Sequence, residues 1–376
     1  MKKYKIQFLF LLFFAFDKVL LISEVRHSIT SVLPGNPYIE TLSDFEPKEL
    51  EIKSKKKSLW NFGSSRSFGF YQLPVDQNTA VDPFLTSSQK SILGEYDVFA
   101  FATVGSNPAI YFTRFSQLLD RGYRPDLLTI ELSSFSFNTN GRYTQSTIVE
   151  GIPLEFTIKH FNELPWDVIY DIWVSRLFTS YRYKLSMSVI KKKLAGTDKE
   201  NPLFKQFGIL TNETITKQLE AMRKGKVNRV YTQADFRDFP EDVTFSNEAE
   251  TYVRYDLAAK VLDKEFYVNY SFNEDMFLFL KNMILKARTK NIPVVLWIPR
   301  AHPELHKVYQ KYNLDRVFGS RMRTMASELN VPLIDLDQKT PIQCKYYQDI
   351  SHISLRCFDE IIFQLISVNL AEPRKN

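Results

Sequence analysis

Two short stretches carry the residue types of hydrolytic chemistry. Gly63-Ser64-Ser65-Arg66 follows Ser58-Leu59-Trp60-Asn61-Phe62, a run suited to a buried strand. A strand that ends in a small-residue turn with a serine at its tip is how α/β hydrolytic enzymes expose a nucleophile. Asp349-Ile350-Ser351-His352 lies near the other end of the chain. A serine hydroxyl is a poor nucleophile until a base takes its proton. A histidine does this near neutral pH, and a carboxylate fixes its tautomer and steadies the imidazolium. One loop can supply both groups here, because Asp349 and His352 are three positions apart. The alternative is a cap, with Asp349 at a helix N-cap and His352 in its first turn. We expect the two stretches to meet in space.

The elements that must position them read as alternating strands and helices. After the strand ending at Gly63, a helix is expected beyond Ser65. Tyr96-Asp97-Val98-Phe99-Ala100-Phe101 is β-rich, and 127–132 is dense in Leu, Thr and Ile. Between them Pro108 suits a helix's first turn, and residues 110–119 continue as an amphipathic helix. A helix over 273–290, a buried strand over 292–299, helices near 305–312 and 316–329, a strand over 331–336 and a closing helix over 353–370 complete the order. Such alternation implies a parallel sheet with helices on both faces, and functional loops at the carboxyl ends of its strands. Gly63-Ser64-Ser65, Gly105-Ser106-Asn107 and Ser133-Ser134 all fall at such ends.

The remaining segments divide as follows. Residues 1–22 form an N-terminal membrane anchor or signal segment, 23–57 a linker, and 58–376 one domain. That domain has its core in 58–134 and 273–376 and a mostly helical insertion over 135–272. Lys2, Lys3 and Lys5 precede an apolar run from Ile6 to Phe16, which Asp17 and Lys18 interrupt. A cleaved signal peptide fits the basic start and short apolar run. An uncleaved membrane helix fits the total length, with a cytoplasmic N-terminus and the body facing the periplasm or cell exterior. Residues 166–194 read as one long helix, either packing on the core or lying on anionic lipid.

Composition sets bounds. With 44% hydrophobic and 24% charged residues, the 376-residue chain is ordinary for a folded protein. The net charge of +6 is not organised into an aromatic-interleaved basic stripe, so nucleic acid is excluded as a partner. Cys344 and Cys357 bracket the Asp349–His352 stretch without metal-site spacing, so no metal or cofactor is expected. In an exported chain they would form a disulfide clamping that loop; two unlinked buried thiols are the alternative.

In order and context, these features resemble the SGNH (GDSL-like) hydrolase superfamily. Gly63-Ser64-Ser65-Arg66 sits at its first motif, Gly105 at the second-motif glycine, and Asp349/His352 at the closing Asp-x-x-His. More narrowly, the basic apolar start and the Gly-Ser-Ser-Arg-Ser form resemble a spirochaetal group of membrane-linked proteins and SGNH-type partners that modify surface polymers. The resemblance implies a three-layer α/β/α, flavodoxin-like sheet. It makes Ser65 the nucleophile, His352 the general base and Asp349 its orienting carboxylate. The N–H groups of Ser65 and Gly105 would form an oxyanion hole. Two departures stand out. The usual aspartate before the nucleophile is Ser64, and the Gly-x-Asn-Asp of the third motif is replaced by Glu131-Leu132-Ser133-Ser134. Ser133, Ser134, Asn107 or Asn138 could then substitute as donor, and Arg66 or Arg300 could receive a carboxylate or phosphate of the substrate. The function implied is a membrane-anchored serine esterase or O-acyltransferase. It would act on an acyl ester of a surface glycan or lipid, with a multispanning acyltransferase as a potential partner. The rival is a non-catalytic envelope protein binding carbohydrate or a protein.

Overall fold

The computed structural model describes residues 2–19, 21–22, 56–71, 85–103, 105–140, 144–182, 239–240, 259–260, 262–337, 342–347 and 350–371. Its frame is a five-stranded parallel sheet of β1 (Lys57–Gly63), β2 (Tyr96–Ala102), β3 (Leu127–Glu131), β4 (Val294–Ile298) and β5 (Leu333–Asp335). The spatial order is β2-β1-β3-β4-β5. The strands are short apolar runs because both faces of a parallel sheet are covered; β3 and β4 are buried at every position.

The helices that matter below are α1 (Lys2–Val19), α2 (Ser87–Gly94), α3 (Pro108–Asp120), α4 (Trp166–Leu177), α5 (Glu274–Thr289), α6 (Pro303–Lys311), α7 (Leu314–Glu328) and α8 (Phe358–Ala371). On one face Trp60, Phe62, Leu128 and Ile130 pack with residues of α3, α4, α5 and α7. On the other, Leu59, Leu127, Val295 and Trp297 pack against α8, with Ile92 and Leu93 of α2 beside them. The fold is therefore α/β with helical layers on both faces, as the alternation implied.

Strand order locates the crevice. The chain passes outward from β1 to β2, then returns across β1 to β3 and continues the other way. The loops after β1 and β3 thus diverge, which is where open α/β sheets bind ligands. Local chemistry fixes the first of these turns. A Cβ on Gly63 would lie 2.0 Å from Ser67 Oγ and 2.6 Å from Glu131 Oε2, so only glycine fits.

Two expectations change. Residues 2–19 are helical, but no helix among the described residues is long and apolar enough to cross a membrane. Asp17 and Lys18 do not sit idle beside an apolar span. The Asp17 carboxylate accepts from the N–H of Thr179 and of Ser180, each at 2.7 Å, and Lys18 donates to Leu177 O. The long helix over 166–194 also stops early. α4 ends at Leu177, Phe178 is extended, and a new turn, Thr179–Arg182, begins on the Asp17 cap. Residues 183–194 lie outside the described residues, as does most of the stretch 23–57.

Candidate functional site

β1 delivers Ser64 and Ser65 to the carboxyl edge of the sheet, and a 3-10 helix, Ser65–Tyr71, starts there. The turn hangs on one buried group. Glu131, at the end of β3, accepts from Ser64 N at 2.9 Å, Ser64 Oγ at 2.6 Å and Ser67 Oγ at 2.6 Å. A carboxylate with no solvent exposure requires such donors, and charge-assisted bonds are the strong ones. Glu131 was not among the residues expected at the site from sequence. Its signal was a carboxylate closing the otherwise apolar strand Leu127–Glu131.

His352 arrives from the opposite end of the chain. Its Nε2 lies 2.8 Å from Ser65 Oγ across 287 positions of sequence. On the other side of the ring, Ser351 Oγ lies 3.0 Å from Nδ1. Asp349 lies outside the described residues. The loop carrying His352 is secured at several points. Ser354 N donates to Tyr346 O at 2.9 Å, His302 N donates to Ile350 O at 3.2 Å, and a disulfide joins Cys344 to Cys357. Of the two cysteine alternatives, the structure takes the disulfide.

The other expected residues separate into two groups. Gly105 takes a positive φ of 67°. Among the described residues, neither its N–H nor that of Ser65 donates a hydrogen bond. Asn107 caps α3, its Oδ1 accepting from Ala109 N at 3.1 Å and Ile110 N at 3.3 Å; its buried Nδ2 has no partner among the described residues. The buried Ser133 hydroxyl likewise has no partner among the described residues, and the buried Ser134 hydroxyl lies toward the Tyr267 side chain. Asn138, by contrast, is committed to structure: Nδ2 donates to Phe266 O at 2.6 Å, and Oδ1 accepts from Asn140 N and Ser271 N. Arg66 is buried and donates to Tyr309 Oη at 3.0 Å. Burial works against its charge, but Tyr309, Tyr267 and Glu131 outweigh that and raise its pKa, so it stays a cation. Arg300 donates to Cys344 O at 3.4 Å and lies over the Tyr347 ring.

Residues 7–368 match a family model described as "Protein of unknown function (DUF1574)". The chain belongs to that family. No curated protein matches it. Among solved structures it is similar to a crystal structure of a "putative acylhydrolase" from Bacteroides fragilis NCTC 9343. Identity is 11%, over 88% of this chain and 92% of that one, with a TM-score of 0.33. An overlap that loose says nothing of the site.

Beside the serine turn, this DUF1574 chain has a cavity of about 30 Å³ lined by Arg66, Ser133, Ser134, Tyr309, Asp315 and Asp337 among others. That is room for about one water. At its edge His306, Asp315 and Asp337 each bring a ligand atom within 4.8 Å of the others, the composition of a metal centre. Both nitrogens of His306 already face carboxylates, however: Nε2 is 2.7 Å from Asp337 Oδ1 and Nδ1 is 3.5 Å from Asp315 Oδ2. Burial would lower the imidazole pKa, yet the two carboxylates push it up to about 10. The cation of this triad is the imidazolium itself.

Proposed function

We propose that the protein is an SGNH-like serine esterase or O-acyltransferase working through an acyl-serine intermediate. The observation that carries this reading is the 2.8 Å contact between Ser65 Oγ and His352 Nε2. It is hydrogen-bond reach for a nucleophile and its base. Ser65 Oγ attacks the ester carbonyl while His352 Nε2 takes its proton. The negative charge that forms on the carbonyl oxygen falls to the N–H groups of Ser65 and Gly105, with Ser133, Ser134 or Asn107 Nδ2 as further donors. Collapse expels the alcohol, which receives the proton from His352, and leaves the acyl group on Ser65. His352 then deprotonates water or an acceptor hydroxyl, which attacks the acyl-serine and frees the enzyme. Asp349, three positions before His352, is assigned to steady the imidazolium.

The same proposal places the protein at a membrane through its N-terminal helix, with the body in an oxidising compartment where a disulfide persists. The ester would belong to a surface glycan or lipid, and a multispanning membrane protein could supply the acyl group for transfer. A serine-reactive fluorophosphonate tests the chemistry. Wild type should be labelled, Ser65→Ala should not, and His352→Ala should react far more slowly. Folded wild type that takes no label at any pH overturns the catalytic reading and leaves a binding protein.

A further inference from the structure

We propose that α1 lies along one face of a lipid bilayer rather than across it, and that the outer stripe of α4 rests in the same interface. This takes further the membrane attachment proposed above and does not depend on the reaction at Ser65.

The first observation is that α1 is almost bare. The large apolar side chains from Ile6 to Phe13, and Phe16, are 51–73% exposed. At about 100° per residue they occupy every side of the helix. A groove on a protein partner covers one side, whereas acyl chains closing over a helix sunk below the headgroups cover all of it.

The second is length between charges. Eleven uncharged residues separate Lys5 from Asp17. At 1.5 Å per residue they span about 16 Å, half of a hydrocarbon core of about 30 Å. A crossing would therefore leave one charged end inside the hydrocarbon. Lying in the plane, both ends reach the headgroups, where lysine stems can snorkel.

The third is where α1 is fixed. Asp17 caps Thr179 and Ser180, Lys18 donates to Leu177 O, and Phe14 meets Phe178 edge-on at 6.4 Å. The helix is thus tied to the carboxyl end of α4. α4 itself is two-sided. Val168, Ile169 and Ile172 face the core, while Trp166, Tyr170, Trp173 and Leu177 are exposed. Their spacing of four, three and four places these last within about 60° of arc. Phe161 extends the stripe, meeting Trp166 edge-on at 6.0 Å. Tryptophan and tyrosine are the side chains that favour a bilayer interface, with an apolar ring and a polar edge. Here Trp173 Nε1 donates to Thr157 Oγ1 at 2.9 Å, so its polar edge is satisfied. Five exposed apolar side chains gathered on one stripe, at whose carboxyl end α1 is tied, are not the singly scattered apolar residues of an ordinary surface.

The tryptophans supply the test. Of four, Trp60 and Trp297 lie in the core at 1% and 0% exposure, and Trp166 and Trp173 are the exposed pair. The full chain is mixed with vesicles of dibrominated phosphatidylcholine and phosphatidylglycerol. Its emission should fall toward the half that Trp60 and Trp297 supply. A Trp166→Phe/Trp173→Phe variant should still float with the vesicles and show no quenching. Because both native cysteines are in the disulfide, Lys3→Cys adds a single thiol. An impermeant maleimide should reach it from the side that holds the body. Floating without quenching, labelling only after detergent, or failure to float each overturns the inference. None of these readings depends on fluorophosphonate labelling of Ser65.

Discussion

Removing the Glu131 carboxylate should loosen the serine turn more than any other single change there. In Glu131→Ala three buried donors, Ser64 N, Ser64 Oγ and Ser67 Oγ, lose their acceptor at once. Each unsatisfied group costs about 1–3 kcal/mol. Part of the total returns because a buried charge no longer has to be desolvated. The net loss expected is on the order of 3–5 kcal/mol, the range for breaking a buried charged contact. Glu131→Gln keeps one acceptor oxygen and turns the other into a donor, so one serine hydroxyl is left without its acceptor. That variant should lose about 1.5–3 kcal/mol, the value of one hydrogen bond to a charged group. Urea unfolding measures both, and the order should be wild type, then Gln, then Ala. The rate of fluorophosphonate labelling, taken where each variant is still folded, reads the position of Ser65. A displacement of about 1 Å would slow it on the order of 100-fold. An alanine variant with the wild-type urea midpoint and labelling rate would refute the idea that Glu131 holds this turn.

Three further outcomes are expected. Replacing Cys344 and Cys357 by alanine should cost about 3 kcal/mol in urea unfolding, the scale for a loop of about 15 residues. It should also slow labelling, because the closed loop carries His352. The folded pKa of His306, about 10, lies above the ordinary 6.5. Its contribution to stability is therefore complete below pH 6.5 and fades as pH rises through 10. The wild-type urea midpoint should fall over that window, and His306→Gln should flatten the fall. Ser133→Ala and Asn107→Ser remove buried donors that have no partner among the described residues, the introduced hydroxyl keeping the cap on α3. If either donor serves the oxyanion, labelling should slow on the order of 100-fold without loss of stability; unchanged rates in both would exclude them.

The sheet was legible in the sequence because strands buried on both faces leave continuous apolar runs, and Val294–Ile298 is the plainest of them. Ser65 and His352 were legible by residue type and by position, one after the first strand and one before the last helix. Glu131 was not. Read locally it is only the polar end of β3, and its role depends on β3 lying beside β1, a pairing of residues 67 positions from Ser64. Asp17 fails for the same reason. In sequence it is a charge near the end of an apolar run, and in space it caps a turn 162 positions away. α4 was ambiguous because its aromatic spacing suits a core as well as an interface. The valine and isoleucines between the aromatics supply the core contacts, which leaves the aromatics outside.

The placement of charge around Ser65 bears on what the site could accept. The residue before Ser65 is Ser64, not an acid. Its hydroxyl and N–H both donate to Glu131, so the negative charge is present but enters from the neighbouring strand. Arg66 is the positive counterpart. Buried, bonded to Tyr309 and held in its charged form partly by Glu131, it answers charges within the protein. Arg300, the other arginine offered for an anionic substrate, spends a donor on Cys344 O and lies over Tyr347 in the disulfide loop. To receive a carboxylate or phosphate, either arginine would first have to give up contacts inside the protein, a cost that grows with burial. An ester whose acyl group carries no charge asks nothing of them. On the proposed chemistry it needs the Ser65 hydroxyl from the loop after β1, the His352 imidazole from the disulfide-closed loop beyond β5, and donors for one developing oxyanion.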